Sequence, residues 1–143
     1  MSIIKKGSAI YHSLGKKAKA SVSTESGALK DQPYGFNTRF EDKPGTNPEE
    51  LIAAAHASCF TMALSFALEA EGYSSGQLKT EAHVSLDKDG DGFTVTKSAL
   101  GLAAQVDDID GDEFERIAQT AKANCPISKL LDTEITLEYT LNQ

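Results

Sequence analysis

Two cysteines, Cys59 and Cys125, are the only thiols in this chain of 143 residues, and each sits where a plain core cysteine is not required. Cys59 lies deep in an uncharged helical run, Leu51-Ile-Ala-Ala-Ala-His-Ala-Ser-Cys59-Phe-Thr-Met. Cys125 lies in Asn124-Cys125-Pro126-Ile127-Ser128, where one helix should stop and another turn begin. Two thiols that meet can pass through a sulfenic acid to a disulfide and back, the minimum apparatus of a thiol redox enzyme. In a reducing compartment such a pair is otherwise two unrelated core residues or part of a metal site. There is no CxxC, and His12, His56 and His83 form no ligand pattern, so no metal is expected.

The local setting distinguishes the two sulfurs. Pro126 biases Cys125 away from helical geometry, and Pro126-Ile-Ser-Lys-Leu-Leu reads as a fresh helical turn, so Cys125 is placed at an N-cap. The positive end of the helix dipole there lowers a thiol pKa. Cys59, mid-helix among apolar side chains, should be raised unless a cation reaches it. On local grounds Cys125 is the more readily ionised. Arg39, one of two arginines beside Arg116, is the natural cation for Cys59, because a guanidinium stays charged when partly buried.

The elements that must position these groups follow from pattern. The first third alternates weakly, with Ala18, Ala20 and Val22 before the Glu25-Ser26-Gly27 turn and Tyr34, Phe36 and Phe40 after it. Three short strands are expected, with Asn37 and Arg39 on the face opposite the aromatic residues. Asn47 caps a helix with Pro48 at its first position and Glu49 and Glu50 in its first turn, ending near Gly72. From Leu51 to Leu68 there is no charge, yet His56, Ser58, Thr61 and Ser65 make the run too polar for lipid. Such a helix is expected to be buried in protein all round. The rest of the chain is too small to wrap it, so a partner subunit should cover one flank.

Glu49 lies ten residues before Cys59, about 15 Å along the helix, so it cannot touch the sulfur of its own chain. If two copies cross antiparallel on a two-fold axis, Glu49 of one approaches Cys59 of the other. The axis then falls near Ala54, inside Ala53-Ala54-Ala55, where small residues allow close approach. After this helix come a hairpin around Asp87-Lys-Asp-Gly-Asp-Gly92, with a bulge near Lys97 to Ala99, and a helix capped by Asp110 with Glu113 as its capping-box partner. A last strand carries Ile135, Leu137, Tyr139 and Leu141 on one face.

Other features have plainer readings. Asp87, Asp89, Asp91 and Gly92 imitate half of a calcium loop, but Ser98 stands where the bidentate Glu belongs and strand patterns flank the loop. His56 is expected to be a hydrogen-bonded core or interface histidine rather than a ligand. The net charge of −7 argues against nucleic acid or a basic membrane-binding face. Met1-Ser-Ile-Ile-Lys-Lys-Gly has no long apolar region after it, so no signal peptide is expected and the location is read as cytoplasmic. The length is one domain's worth, and a chain of this size buries roughly 68–70% of its unfolded surface, so no disulfide scaffold is needed.

Asn47-Pro-Glu-Glu-Leu-Ile-Ala-Ala-Ala-His-Ala-Ser-Cys59-Phe, then Ala123-Asn-Cys125-Pro-Ile-Ser128, together with Tyr34-Gly-Phe-Asn-Thr-Arg39-Phe and Val22-Ser-Thr-Glu-Ser-Gly27, resemble the OsmC/Ohr family of organic hydroperoxide reductases. The likeness covers nearly the whole chain and is nearest the osmotically inducible protein C branch. It implies an α+β fold, with antiparallel sheets packed around a long buried central helix. The elements run βββ-α-ββ-α-β in a single domain over 1–143, and two copies form an intertwined homodimer. The resemblance also implies two sites at the dimer interface without metal, flavin or haem. In it Cys59 attacks the O–O bond of an organic hydroperoxide, and Cys125 resolves the sulfenic acid as a disulfide. A dithiol of dihydrolipoyl type then reopens the disulfide. Arg39 corresponds to the arginine that stabilises the thiolate and Glu49 to the carboxylate that orients it. A redox-sensing or small-molecule-binding member of the same fold with little turnover is the alternative. The resemblance therefore assigns first attack to Cys59, whereas local context favours Cys125 as the thiolate.

Overall fold

The computed structural model describes all 143 residues and divides into two compact units, Met1–Leu51 and Ile52–Gln143. In the first unit, β1 (Gly7–His12), β2 (Lys19–Thr24) and β3 (Gln32–Tyr34) form an antiparallel sheet in the order β1-β2-β3. The three strands are there, but the third stops early. Phe36–Phe40 is a short helix, α1, rather than its continuation. Gly35, at φ 148°, breaks the strand, and its N–H donates to Thr38 Oγ1 at 2.8 Å while the Thr38 hydroxyl returns to Gly35 O at 3.0 Å. Phe36 and Phe40 stand four apart and therefore share a face in a helix as they would in a strand; their ring centroids are 5.1 Å apart. Arg39 consequently lies in the last turn of α1, not on the back of a strand.

This unit buries no apolar side chain; Thr46 is its one buried residue. Ile3, Ile4, Ile10, Tyr11 and Leu14 are all exposed. Three short strands without a buried face lack what a sheet needs for independent stability.

The long helix α2 (Pro48–Ala70) starts as its sequence dictates. Asn47 Oδ1 accepts the Glu50 N–H at 2.8 Å, and Pro48 occupies the first turn, where no N–H is needed. Its mean hydropathy, 1.7 over the best 18-residue window, meets a length-and-composition test for a membrane span that core helices also pass, and the polar residues named above distinguish it from a lipid-facing run. Within one chain the helix is buried on one face only, in keeping with the expectation that a chain of this size is too small to wrap it. Only His56, Phe60, Leu64 and Leu68 are buried, a stripe at i, i+4 spacing on one face. Ala54, Ser58, Met62, Ser65 and Phe66 are exposed, with Met62 at 57% and Phe66 at 65%.

The buried stripe packs in the second unit against β4 (Gly76–Asp89), β5 (Gly92–Val106), α3 (Gly111–Asn124), α4 (Pro126–Leu130) and β6 (Glu134–Leu141). Phe60, Leu64 and Leu68 meet Leu100, Leu102, Ala104 and Val106 of β5, and Phe114, Ile117, Ala118 and Ala121 of α3, in one core. Each large apolar side chain so buried contributes about 1.5–3 kcal/mol. Inward-facing β5 residues sit at even positions from Ser98 to Val106. The register slips where Ser85 pairs with Lys97 but Leu86 with Val95, leaving Thr96 as the extra residue. The bulge thus sits one residue before the expected stretch.

The second sheet runs β4-β5-β6, and it is mixed rather than antiparallel because β6 pairs parallel to β5. A parallel neighbour needs a crossover, and α3 with the additional short helix α4 supplies it. Asp110 is the N-cap residue of α3, but its side chain makes no cap hydrogen bond. Glu113 instead accepts the Tyr73 hydroxyl, so the capping box does not close. The acidic hairpin turn joins two strands, with Asp87 accepting from Thr96, and Asp89 from Thr94 at 2.7 Å.

Candidate active site

Cys59 stands at the centre of α2 and Cys125 at the junction of two helices. Cys125 ends α3, where its N–H donates to Ala121 O at 2.9 Å, and begins α4 with Pro126 behind it. Its φ of −56° and ψ of 128° are extended, as a residue before proline requires. Both cysteines are free thiols, and their sulfurs interact directly in the second unit.

The two sulfurs differ in ionisation. Burial pushes the Cys59 thiol up, and the neighbouring Cys125 sulfur, to which Cys59 donates, pushes the same way against the Ile127 N–H. Burial would also push Cys125 up, but the Cys59 thiol, the Ser128 N–H and hydroxyl, and the Ile127 N–H outweigh it and hold Cys125 below the ordinary thiol range. No side-chain cap hydrogen bond of normal geometry closes here. The effect comes from several dipoles at the start of α4 pointing at one sulfur. Within one chain Cys125 is therefore the more readily ionised of the two sulfurs, as the local sequence context indicated.

The other two predicted residues come together in the first unit. Arg39 grips Glu49 with a two-pronged contact, Nε to Oε1 at 2.7 Å and Nη2 to Oε2 at 2.6 Å. The hydrogen bonds to Glu49 raise the Arg39 pKa further, against the opposing cost of burial, and the charge of Glu49 adds to the rise. Asn47 Nδ2 also reaches Thr38 O at 3.2 Å, tying the helix start to α1, and Thr46 Oγ1 donates to Glu50 at 2.7 Å. Between them Gly45 adopts φ 145°, and a Cβ there would lie 2.4 Å from Pro33 O, so only glycine lets the chain turn into α2 at this point.

His56 is fully buried, and both ring nitrogens are satisfied: Nδ1 by Ser98 Oγ at 2.6 Å and Nε2 by Ser128 Oγ at 2.8 Å. It is the hydrogen-bonded core histidine expected from its apolar neighbours. Neither Ser98, noted above only as a mismatch in the calcium-like loop, nor Ser128 is expected from the sequence as a partner of His56. A signal for Ser98 was present, since it is the one polar residue on the inward run continued by Leu100, Leu102, Ala104 and Val106.

Burial holds the His56 pKa below its ordinary value, so the native state takes up a proton later than the unfolded chain does. The stability this gives is complete above the unfolded value of about 6.5 and is lost as pH falls below it toward the lower folded pKa. Urea unfolding of wild type is expected to weaken between pH 7.5 and 5.5, with His56→Gln showing a flatter dependence over the same window. Parallel curves for the two proteins would contradict this.

Residues 40–140 match the model of the OsmC-like protein family. The chain belongs to this family. It is 55% identical over 141 residues to peroxiredoxin OsmC of Escherichia coli (strain K12), covering 99% of each chain. It is 31% identical over 110 residues to the organic hydroperoxide resistance protein OhrB of Bacillus subtilis (strain 168), covering 76% of this chain and 78% of that one. The crystal structure of Bacillus subtilis OhrB superposes with a TM-score of 0.71 at 27% identity, over 96% of this chain and 98% of that chain. The OsmC/Ohr fold, with two three-stranded sheets and a long helix, is therefore that of this α+β chain.

Proposed function

We propose that this OsmC-like protein is a cysteine-based peroxidase that reduces organic hydroperoxides to alcohols. The observation that carries the reading is the direct contact of two free thiols, one mid-helix and one at a helix start, in a chain 55% identical to a peroxiredoxin. In the proposed cycle the Cys59 thiolate attacks the distal peroxide oxygen, the O–O bond breaks and the alcohol leaves. Cys59 becomes a sulfenic acid. The Cys125 sulfur then displaces hydroxide to form the Cys59–Cys125 disulfide, and a dithiol of dihydrolipoyl type returns both thiols by exchange. No metal or organic cofactor takes part in this sequence.

Cys59 needs a cation for this role, since burial pushes its thiol up. We infer that Arg39, oriented by Glu49, supplies it from a second copy of the chain. Ten residues of helix, about 15 Å, keep Glu49 from its own Cys59, while antiparallel crossing near Ala54 brings it to the partner's side. Two further observations support an intertwined homodimer of single-domain chains. The apolar flank of α2 from Ala54 to Phe66 is exposed, and the first unit buries no apolar side chain of its own. Joining two such surfaces fits an isologous interface. The apolar character of α2 also suits an organic peroxide over hydrogen peroxide. The location is proposed to be the cytoplasm, where a dithiol reductant is maintained.

A redox-sensing or ligand-binding role with little turnover shares the same disulfide. Its support is the upward push on Cys59 within one chain, which disfavours rapid attack. Stopped-flow consumption of cumene hydroperoxide with dihydrolipoamide separates the two readings. Many turnovers per site, faster than with hydrogen peroxide, are expected of the peroxidase; a single stoichiometric turnover would establish the sensor instead.

A further inference from the structure

The mechanism above leaves one buried group unused. His56, Ser98 and Ser128 come from α2, β5 and α4, are 0%, 0% and 9% exposed, and form a continuous chain through the imidazole. No charged side chain hydrogen-bonds to the ring, and no buried side-chain polar atom is left without a partner. Ser128 is also the third residue of the helix that Cys125 caps, the position from which a side chain reaches back toward the cap. The Ser128 hydroxyl is also one of the groups acting on the Cys125 sulfur, so the network ends there.

Proton counting gives this chain a direction. A serine hydroxyl has one hydrogen, and a neutral imidazole has one N–H. If the Ser128 hydroxyl donates to a Cys125 thiolate, its oxygen must accept from His56 Nε2–H. Nδ1 is then bare and must accept from the Ser98 hydroxyl. Every hydrogen in the run points toward the sulfur. If instead Cys125 carries a proton, the whole run can reverse, with Ser128 donating to Nε2 and Nδ1–H donating to Ser98. The imidazole tautomer and the protonation of Cys125 are thus two readings of one hydrogen-bond chain.

We propose that Ser128, positioned by His56 and Ser98, fixes the Cys125 sulfur as the ready nucleophile that closes the disulfide. Ser128 faces the reacting sulfur, and His56 and Ser98 are positioning residues acting through it. The inference rests on the peroxidase cycle proposed above. In the step it serves, the Cys125 thiolate attacks the Cys59 sulfenic sulfur. An S–S bond forms, the S–O bond breaks, and hydroxide leaves into the solvent, where the buffer protonates it to water. The thiolate sulfur is oxidised and the sulfenic sulfur reduced, and the oxidant is the hydroperoxide already consumed. The downward hold on Cys125 by the Ser128 N–H and hydroxyl supports this assignment.

Two measurements test it. In a Cys59→Ser background, the ultraviolet thiolate absorbance of Cys125 is titrated with and without Ser128→Ala. A charge-assisted hydrogen bond lost at sulfur should lower the thiolate-to-thiol ratio about tenfold at fixed pH, moving the midpoint up by about one unit. Ser98→Ala should move it the same way by less, and serves if Ser128→Ala does not fold. Midpoints that do not move in either variant overturn the proposal. With Cys59 restored, dimedone quenching after one equivalent of cumene hydroperoxide should show the sulfenic acid of Ser128→Ala persisting about tenfold longer than in wild type. Closure at the wild-type rate likewise overturns it. If wild type forms neither the sulfenic acid nor the Cys59–Cys125 disulfide, the peroxidase reading fails, while the titration still decides whether the serine–histidine chain governs Cys125.

Discussion

Replacing Cys59 by serine is expected to stop peroxide consumption, with a loss on the order of 10³-fold in the dithiol-coupled rate, equal to about 4 kcal/mol of barrier. An alkoxide is far harder to form than a thiolate, and a serine hydroxyl cannot accept the peroxide oxygen as sulfur does. Cys125, although the more readily ionised sulfur within one chain, cannot substitute, because it is fully buried at the helix junction. Cys125→Ser should behave differently. Its first turnover should proceed, but the Cys59 sulfenic acid should persist and become trappable, and multiple turnover should fail unless an external thiol resolves it. Single-turnover and steady-state rates measured side by side separate the two roles. Full activity in Cys59→Ser would overturn the assignment.

The second large effect belongs to the guanidinium. Arg39→Ala is expected to lower the peroxidase rate at pH 7 by about 10²-fold, the size found when a preorganised electrostatic donor is removed. The sign of the pH dependence follows from the Cys59 thiol. Burial and Cys125 push it up, a cation brings it down, and the thiolate is the reactive form. Without Arg39 the rate should therefore fall at neutral pH and recover as pH rises, shifting the profile to the alkaline side. Arg39→Lys should rescue little, because the two contacts at 2.7 and 2.6 Å to Glu49 use the fork of a guanidinium, which an ammonium lacks. Glu49→Gln should cost less, about tenfold, since it removes the charge that orients Arg39 but leaves one acceptor oxygen. An Arg39→Ala profile superimposable on wild type would remove Arg39 from the site.

Much of this was legible in the sequence, for local reasons. Asn47-Pro48 announces the start of α2, and Cys125-Pro126 announces a helix junction, because proline restricts its own φ and its neighbour's conformation. The bulge in β5 showed as a change of parity between Val95 and Leu100, which the pairing places at Thr96. What was not legible depends on distance or on ambiguity of period. Phe36 and Phe40 fit both a strand and one helical turn, and the deciding contact is the Thr38–Gly35 pair. The parallel placement of β6 depends on the crossover through α3 and α4, which alternation cannot show. His56 could be read as a satisfied core residue, but its partners lie 42 and 72 residues away in sequence. The uncharged run of α2 and the length of the chain indicated that one flank would stay open within a single chain, but which residues form it, Ala54 to Phe66, depends on the packing of the opposite stripe.

The central claim is that Cys59 and Cys125 form one redox couple oxidised by an organic hydroperoxide. Fully reduced protein mixed with one equivalent of cumene hydroperoxide, quenched with an alkylating agent and read by intact-mass and peptide mass spectrometry, tests it most directly. The account predicts a mass lower by two hydrogens, no alkylation at either thiol, and one Cys59–Cys125 linked peptide formed as a stoichiometric amount of the alcohol appears. Peroxide consumed while both cysteines remain free to alkylate would contradict it.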